Sequence, residues 1–297
     1  MGPSVVVIGN FDGVHRGHQA VLRQARALAD AQGLRCVVLT FDPHPSEVLG
    51  RGTPPRLTTL ATRIELLRRH GATDVAVEPF TMELASWSPE RFMTDLLAKR
   101  LGTRAVVVGE NFRFGHNRAG DFETLRTLGA TYGFEAVAAE VAGDDEGPFS
   151  STRVRDAVAA GDVERAARVL GRPHALQGVV EHGDARGRTI GFPTANLGEV
   201  AEMLPAYGVY AVRVRRAGTA TSENGVMNVG VRPTVGGIVF RIEAHLLDFE
   251  GDLYGQTLGV DLVARLRGEQ KFAGLDELRA QIARDAEAAR KALSPLA

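Results

Sequence analysis

The chain has a single cysteine, a single tryptophan and three lysines in 297 residues. One cysteine excludes an intrachain disulfide, which suits a reducing compartment. Within the run Cys36-Val37-Val38-Leu39 it reads as a small buried core residue. No apolar stretch approaches the roughly 20 residues that span a bilayer. No basic region precedes the short first apolar run, so no signal peptide is expected, and the expected location is the cytoplasm. Positive charge is not in excess: residues 1–150 carry 16 basic and 18 acidic residues, and 151–297 carry 19 and 18. A phosphate-backbone binder needs a basic surplus, so no nucleic-acid partner is expected. Apart from Lys99, Lys271 and Lys291 the basic residues are arginines, which keep their charge and can grip phosphate with two donors. No Gly-x-x-x-x-Gly-Lys-Ser/Thr string occurs, which excludes a P-loop nucleotide site. Internal repeats and low-complexity tracts are also missing.

What is present is 44% hydrophobic, enough for proper cores, in two differently patterned halves. The first alternates strands and helices: strands at Ser4–Ile8, Arg35–Phe41, Asp74–Val77, Ala105–Val108 and Phe134–Ala139; helices at Gly17–Ala31, Thr59–His70, Pro89 to about Arg100 and Asp121–Thr131. That order predicts a parallel sheet covered on both faces, with ligands beyond the carboxyl ends of the strands. A polar loop at Gly143–Pro148 and a helical pair, Thr152–Ala159 and Asp162–Leu170, lead to Gly171 and Pro173, where we expect the domain boundary. Short alternating runs follow: Leu176–Glu181, Val209–Arg215, Gly225–Val229, Val239–Leu247 and Thr257–Leu266. Punctuated by Gly, Pro and Asn, they predict an antiparallel barrel or sandwich. Leu275–Leu293 closes the chain as an amphipathic helix, with Leu278, Ile282, Ala286 and Ala289 on one face.

The loop after the first strand reads Gly9-Asn10-Phe11-Asp12-Gly13-Val14-His15-Arg16-Gly17-His18. Glycines let the backbone approach a ligand, and the following helix start favours phosphate. His15 and His18, three apart, can be aimed at one point by the turn entering the helix. Two imidazoles there suit the charge that builds on a nucleotide α-phosphate under attack. A zinc pair is the rival reading; it needs a third ligand, and there is neither a cysteine pair nor His-Glu-x-x-His. Ser151 and Thr152 at a helix start are either phosphate-binding hydroxyls or a good N-cap, and Arg155 can take a pyrophosphate bidentately. In the second half, Thr194 and Asn196 alternate in an extended run. They suit a hard cation that keeps several waters, or else a Pro-Thr turn with Asn bonding its own backbone. Glu243 lies in an apolar stretch between Val239-Phe240 and Leu246-Leu247, which predicts partial burial. It reads either as a proton acceptor or as an outward carboxylate paired with Arg241 or His245.

The histidine loop carries the His-x-Gly-His signature of nucleotidylyltransferases, and as a whole it resembles the adenylyltransferase module of bacterial bifunctional riboflavin kinase/FAD synthetases. Thr40-Phe41-Asp42-Pro43-His44-Pro45, Val108 to Gly115 and Ser150 to Arg155 match that family in order. Gly187 to Leu197 resembles the magnesium–ATP loop of its riboflavin kinase domain, and Val226 to Thr234 a following loop. Ile242–Asp248 with Asp252–Gly255 resembles the next strand and turn. Arg267, Glu269 and Lys271-Phe272 resemble the flap over the flavin.

The resemblance implies a Rossmann-like nucleotidylyltransferase domain over 1–173. A six-stranded antiparallel riboflavin-kinase barrel with a terminal helix is implied over 174–297. It implies ATP-dependent phosphorylation of riboflavin to FMN, then adenylylation to FAD with release of pyrophosphate. His15 and His18 are then catalytic. Gly9, Asn10, Phe11, Asp12, Gly13, Pro43, His44, Pro45 and Asn111 shape the ATP and FMN site with Ser151, Thr152 and Arg155. In the barrel, Glu243 is the general base and Thr194 and Asn196 hold Mg2+. Gly187, Arg188, Gly191, Pro193, Asn228, Arg267 and Phe272 contact ATP or flavin. The implied partners are small molecules, with a monomer or transient homo-oligomer. A monofunctional enzyme and a non-catalytic flavin sensor are the alternatives. A sensor should have lost His18, Thr194, Asn196 or Glu243, and all four are present.

Overall fold

Val5 and Val7 of β1 (Ser4–Ile8) are buried on one face of a sheet, Val6 and Ile8 on the other. A strand that is apolar at every position belongs at the centre of a sheet covered on both sides. In this computed structural model β1 lies between β2 (Arg35–Asp42) and β4 (Thr103–Val108), with β3 (Asp74–Pro79) and β5 (Glu135–Ala138) outermost. All pairings are parallel. The structure describes residues 2–183, 191–219, 221–234 and 237–294. Gly187 and Arg188, expected in the kinase ATP site, lie outside the described residues.

One face is covered by α1 (Arg16–Ala31), through Leu22, Ala25 and Ala29, and by Leu66 and Leu67 of α3 (Leu60–Arg69). Cys36 belongs to this core, and burial pushes its thiol up to about 11. On the other face lie Phe92, Met93, Leu96 and Leu97, with Leu125 of α6 (Phe122–Thr131). The helix opened by Pro89 is α-helical over Pro89–Arg91 (α5) and π-helical over Phe92–Arg100. Two short helices escape the sequence pattern, α2 (Pro45–Val48) and α4 (Met82–Ala85). The strand order β3-β2-β1-β4-β5 reverses direction between β1 and β4. The crevice beyond their carboxyl ends is where such sheets bind ligands.

Packing divides the chain between Ser150 and Ser151, and Pro55–Thr58 joins the second unit. The first unit ends after a small hairpin, β6 (Gly143–Asp144) with β7 (Gly147–Pro148). The helical pair, α7 (Ser151–Ala160) and α8 (Val163–Leu170), packs with the barrel, because Val163 is buried in the barrel's own core cluster. The barrel is closed in the order β10-β11-β12-β9-β8-β13. These strands are β8 (His174–Glu181), β9 (Ala195–Gly198), β10 (Gly208–Arg216), β11 (Ser222–Thr234), β12 (Gly237–Leu246) and β13 (Thr257–Arg267). The alternating run expected to end at Val229 continues as strand to Thr234, through residues that resemble a loop of the family, since Val226 to Thr234 pair residue by residue with β12. The inside is filled from every strand, for example Leu176, Leu197, Tyr210, Met227, Ala244 and Val260.

The terminal helix α9 (Leu275–Leu293) lies on the barrel's outer surface through Ala286, Ala289 and Leu293 against Ala211 and Leu247. A buried methyl contributes roughly 0.8 kcal/mol and a buried leucine about 1.5–3 kcal/mol, so this stripe alone holds α9 weakly. Polar clamps add to it: Arg290 forks onto Asp248, and Arg213 donates to the Leu293 carbonyl. Asp285 interrupts the apolar stripe and is itself buried.

Candidate active sites

The β1–α1 loop turns at three consecutive-neighbourhood positive φ values, Phe11 at 52°, Gly13 at 81° and Val14 at 40°. For a β-branched residue that is an outlier, and such strain persists where surroundings over-determine it. Here they do: Phe11 and Val14 are buried, and Val14 N–H donates to Phe11 O at 3.1 Å. The Val14 carbonyl accepts from Gln19 Nε2 at 2.9 Å. The Asn10 carbonyl takes Thr40 Oγ1 at 3.2 Å and Arg63 Nη1 at 2.9 Å.

This loop delivers His15 as the N-cap of α1, its Nδ1 accepting the His18 N–H at 3.4 Å. The two imidazoles stack with centroids 3.6 Å apart and 25° between planes, and Phe11 sits edge-on to His18 at 5.0 Å. A Cβ at Gly17 would lie 3.0 Å from the His15 ring and from Phe149 O, so the helix start is shaped around this stack. Rings this close cannot both carry protons cheaply. Burial first, and His15 second, hold the His18 imidazole well below its usual value. His18 Nδ1 is buried with no hydrogen-bond partner among the described residues. An unmet buried nitrogen at a helix start favours an anion.

A prediction follows from the sign of the shift. A depressed folded pKa means His18 stabilises the fold above its unfolded value of about 6.5, and that contribution is lost as pH falls through the folded value. We expect an NMR titration of the free protein to place His18 below the ordinary histidine range, and ATP to raise it. An unshifted, ATP-insensitive His18 would contradict this.

Beside the stack, a cleft of about 580 Å³ runs between the ends of β1, β2 and β4. Gly9, Asn10, His44, Pro45 and Asn111 line it. The Asn10 and His44 side chains meet at 3.0 Å, and His44 caps α2, accepting Ser46 N–H at 3.2 Å. Pro43 follows a cis bond, and Asp12 is buried in the loop. Ser151 and Thr152 open α7 in the second unit, and Arg155 Nε donates to Pro55 O at 2.8 Å. The sequence reading missed the cleft's aromatic wall. Phe41 meets Phe80 edge-on at 5.6 Å, and Phe112 stacks on Phe114 at 5.6 Å with Phe92 beyond. Its signal was available: Phe41 stands near the end of β2, and Phe112 and Phe114 in the loop after β4, where polar residues are usual. Arg113 and Arg118 supply positive charge at the rim.

In the barrel, register brings four polar residues into one row. Asn228 of β11 faces Glu243 of β12, Glu243 faces Asn196 of β9, and Asn196 faces Glu181 of β8. Their strand neighbours, Met227, Ala244, Ala195 and Val180, fill the interior, so the row is on the outer surface. Glu243 is 15% exposed and pairs with Arg241 at 2.6 Å, while His245 Nδ1 meets the Pro193 carbonyl at 2.7 Å. Thus Glu243 is half-buried as expected, but not by Phe240, which is 56% exposed. Of the two neighbours named from sequence, Arg241 is the one that Glu243 pairs with. Phe192 packs edge-on to His245, so the segment carrying Pro193, Thr194 and Asn196 is anchored to β12. Gly191 turns it with φ 87°. A second cleft, about 320 Å³, is bounded by Pro193 and Thr194 on one side and by Phe249, Asp252 and Tyr254 on the other.

Two family models match the chain, FAD synthetase over residues 1–153 and riboflavin kinase over 170–293. The bifunctional riboflavin kinase/FMN adenylyltransferase of Escherichia coli K12 is 43% identical over 288 residues, covering 97% of this chain and 92% of that one. The enzymes of that name from Pseudomonas fluorescens and Bacillus subtilis are 42% and 38% identical, over 99% of this chain and 94% and 93% of theirs.

The chain belongs to the bifunctional riboflavin kinase/FMN adenylyltransferase family.

A crystal structure described as a macrolide-efflux protein from Streptococcus pneumoniae shares the fold, with TM-score 0.89 and 34% identity over 97% of this chain and 94% of that one. No helix among the described residues is long and apolar enough to cross a membrane. Set against the family's two chemistries, the two constellations differ in kind. One is a pair of imidazoles on a parallel sheet; the other is a row of amides and carboxylates on a barrel. Arg267 ends β13, its guanidinium 5.7 Å from the ring centroid of Phe272 beyond the strand. Glu181 was not singled out from sequence, and Glu269 only as part of the stretch that resembles the flap. A Cβ at Gly230 would stand 2.5 Å from Glu269 Oε1 and 3.6 Å from Asn228 Nδ2, so a carboxylate reaches the row where β11 has no side chain.

Proposed function

We propose that residues 1–173 transfer AMP from ATP to FMN and that residues 174–297 phosphorylate riboflavin. Supporting this reading is one observation: a single chain holds two chemically distinct constellations, stacked histidines beyond the carboxyl end of a central parallel strand and a row of amides and carboxylates on a closed barrel. The chemistry is assigned to residues 1–173 and 174–297, although packing groups α7 and α8 with the barrel.

In adenylyl transfer, an FMN phosphate oxygen bonds to the α-phosphorus as its bond to the bridging oxygen breaks, and pyrophosphate leaves. His15 and His18 donate to the non-bridging oxygens, on which charge builds. The flavin ring lies along the Phe41, Phe80 and Phe112 wall, with Asn10, His44 and Asn111 supplying polar contacts. Ser151, Thr152 and Arg155 are assigned to phosphate binding on chemistry alone. In phosphoryl transfer, Glu243 accepts the proton of the ribityl 5′-hydroxyl as that oxygen attacks the γ-phosphorus and ADP leaves. Asn228 and Asn196 flank the carboxylate, and Arg241 orients it.

Magnesium fits the donor set, because the Thr194 hydroxyl and Asn196 amide oxygen are hard, neutral donors. Mg2+ would be held there and would offset phosphate charge. The same reading places the protein in the cytoplasm, as a monomer or transient homo-oligomer without nucleic acid.

The test is direct. Purified protein with riboflavin, ATP and Mg2+ should give FMN and then FAD by chromatography. If neither appears, the proposal fails.

A further inference from the structure

Asp285 is the buried carboxylate in the stripe by which α9 packs on the barrel. Its side chain is 6% exposed, and Arg267, at the end of β13, is 21% exposed. Arg267 Nε donates to Oδ1 and Oδ2 at 3.0 and 3.1 Å, and Nη2 donates to Oδ2 at 2.8 Å. Gln281 Nε2 supplies a further donor at 2.8 Å. The guanidinium's remaining arm turns back, Nη1 donating to Gly268 O at 3.0 Å. A bidentate fork of this kind fixes direction as well as distance.

What leaves the barrel at Arg267 is a short strap, residues 268–273. At its far end the Ala273 N–H donates to Glu277 Oε2 of α9 at 2.7 Å. Both ends of the strap are therefore tied to the terminal helix. Between them Glu269 crosses to β11, where the missing side chain of Gly230 admits its carboxylate next to Asn228. Asn228 faces Glu243 across the ladder. Phe272 completes the strap beneath the Arg267 guanidinium. A carboxylate inside an apolar helix stripe is costly to bury unless paired, and a helix held only for stability would be served by an apolar residue of like volume.

We propose that Asp285 is a positioning residue for riboflavin phosphorylation, acting through Arg267 to hold the 268–273 strap over the Asn228–Glu243 row. It touches no substrate. This rests on the barrel's outer row being the kinase site.

The full-length protein is tested with Asp285→Asn, which keeps the shape and removes the charge, and with Arg267→Lys, which keeps a charge beside Asp285 but loses the fork. Each is expected to raise KM for riboflavin about tenfold or more, since a displaced strap forfeits binding made equally in ground and transition state, with KM for ATP unchanged. FAD formation from supplied FMN stays at the parent rate and reports an intact chain. The double variant is expected to be no worse than Arg267→Lys alone, because both act through one contact. A change in thermal stability alone, with riboflavin KM unmoved, overturns the proposal. So does a double variant whose effects on KM multiply. If Asp285→Asn does not fold, Arg267→Lys carries the test, and an unchanged riboflavin KM there overturns it. Glu243→Gln separates the two failures: if it also leaves FMN formation intact, the kinase-site reading is at fault and not the clamp.

Discussion

Glu243→Gln should abolish FMN formation, a loss of about 10²–10⁴-fold from general-base catalysis, while FAD still forms from supplied FMN. Glutamine keeps the shape and cannot accept the hydroxyl proton. Its amide can still face Asn196 and Asn228 across the ladder, so the row should stay in place. The ion pair with Arg241 is lost, and the Arg241 side chain is 34% exposed, so it can turn to water without a large penalty to folding. Coupled HPLC assays of the two half-reactions, run on one preparation, read the result. Equal loss of both activities would mean that the chain has unfolded or that its sites are not separate.

His18→Ala should do the reverse. Removing one preorganised donor from a developing oxyanion costs about 10²–10³-fold, and here the substitution also unstacks His15. His15 keeps its place as the N-cap of α1 but loses the ring against it, so the loss should fall at the upper end. Riboflavin phosphorylation should continue, and FMN should accumulate. His18→Asn is the milder companion, restoring a donor without the ring. A His18→Ala protein that makes FAD at the parent rate would remove the stacked histidines from the chemistry.

The fold was legible where side-chain period met burial. Val5 to Ile8, Val37 to Leu39 and Val106 to Val108 are apolar at every position, and each is a central strand. The alternation in Leu176–Glu181 and Val209–Arg215 likewise marked barrel strands. Strand β9 escaped because it is only Ala195–Gly198, too short for a period to show, and it lies inside what reads as a ligand loop. Beyond Val229, strand β11 carries Gly230, and Pro233 forms part of its end; glycine and proline suggest a turn, but ladder pairing to β12 overrides them. The packing boundary at Ser150 was hidden because α7 and α8 look like any amphipathic pair, and their allegiance emerges with Val163 in the barrel core and Arg265 of β13 donating to the Ala160 carbonyl.

The site was legible by type and less so by arrangement. The histidine loop could be aimed from its spacing, yet the neutral state of His18 depends on burial and on the 3.6 Å stack, which no spacing dictates. The Asn196–Glu243–Asn228 row depends on register across three strands, and register is set by long-range pairing. Asp285 did leave a trace, an acid in the apolar stripe of Ile282, Ala286 and Ala289, but its partner lies 18 residues upstream and emerges only with the barrel closed.

The central claim is two separable ATP sites on one chain, and mixing tests it most directly. Glu243→Gln protein and His18→Ala protein are each incubated with riboflavin, ATP and Mg2+, alone and together. Alone, the first should make neither product and the second should stop at FMN. Together they should make FAD, as FMN released by one chain is adenylylated by the other. A mixture that accumulates FMN but makes no FAD, when the Glu243→Gln protein converts supplied FMN, would contradict the account.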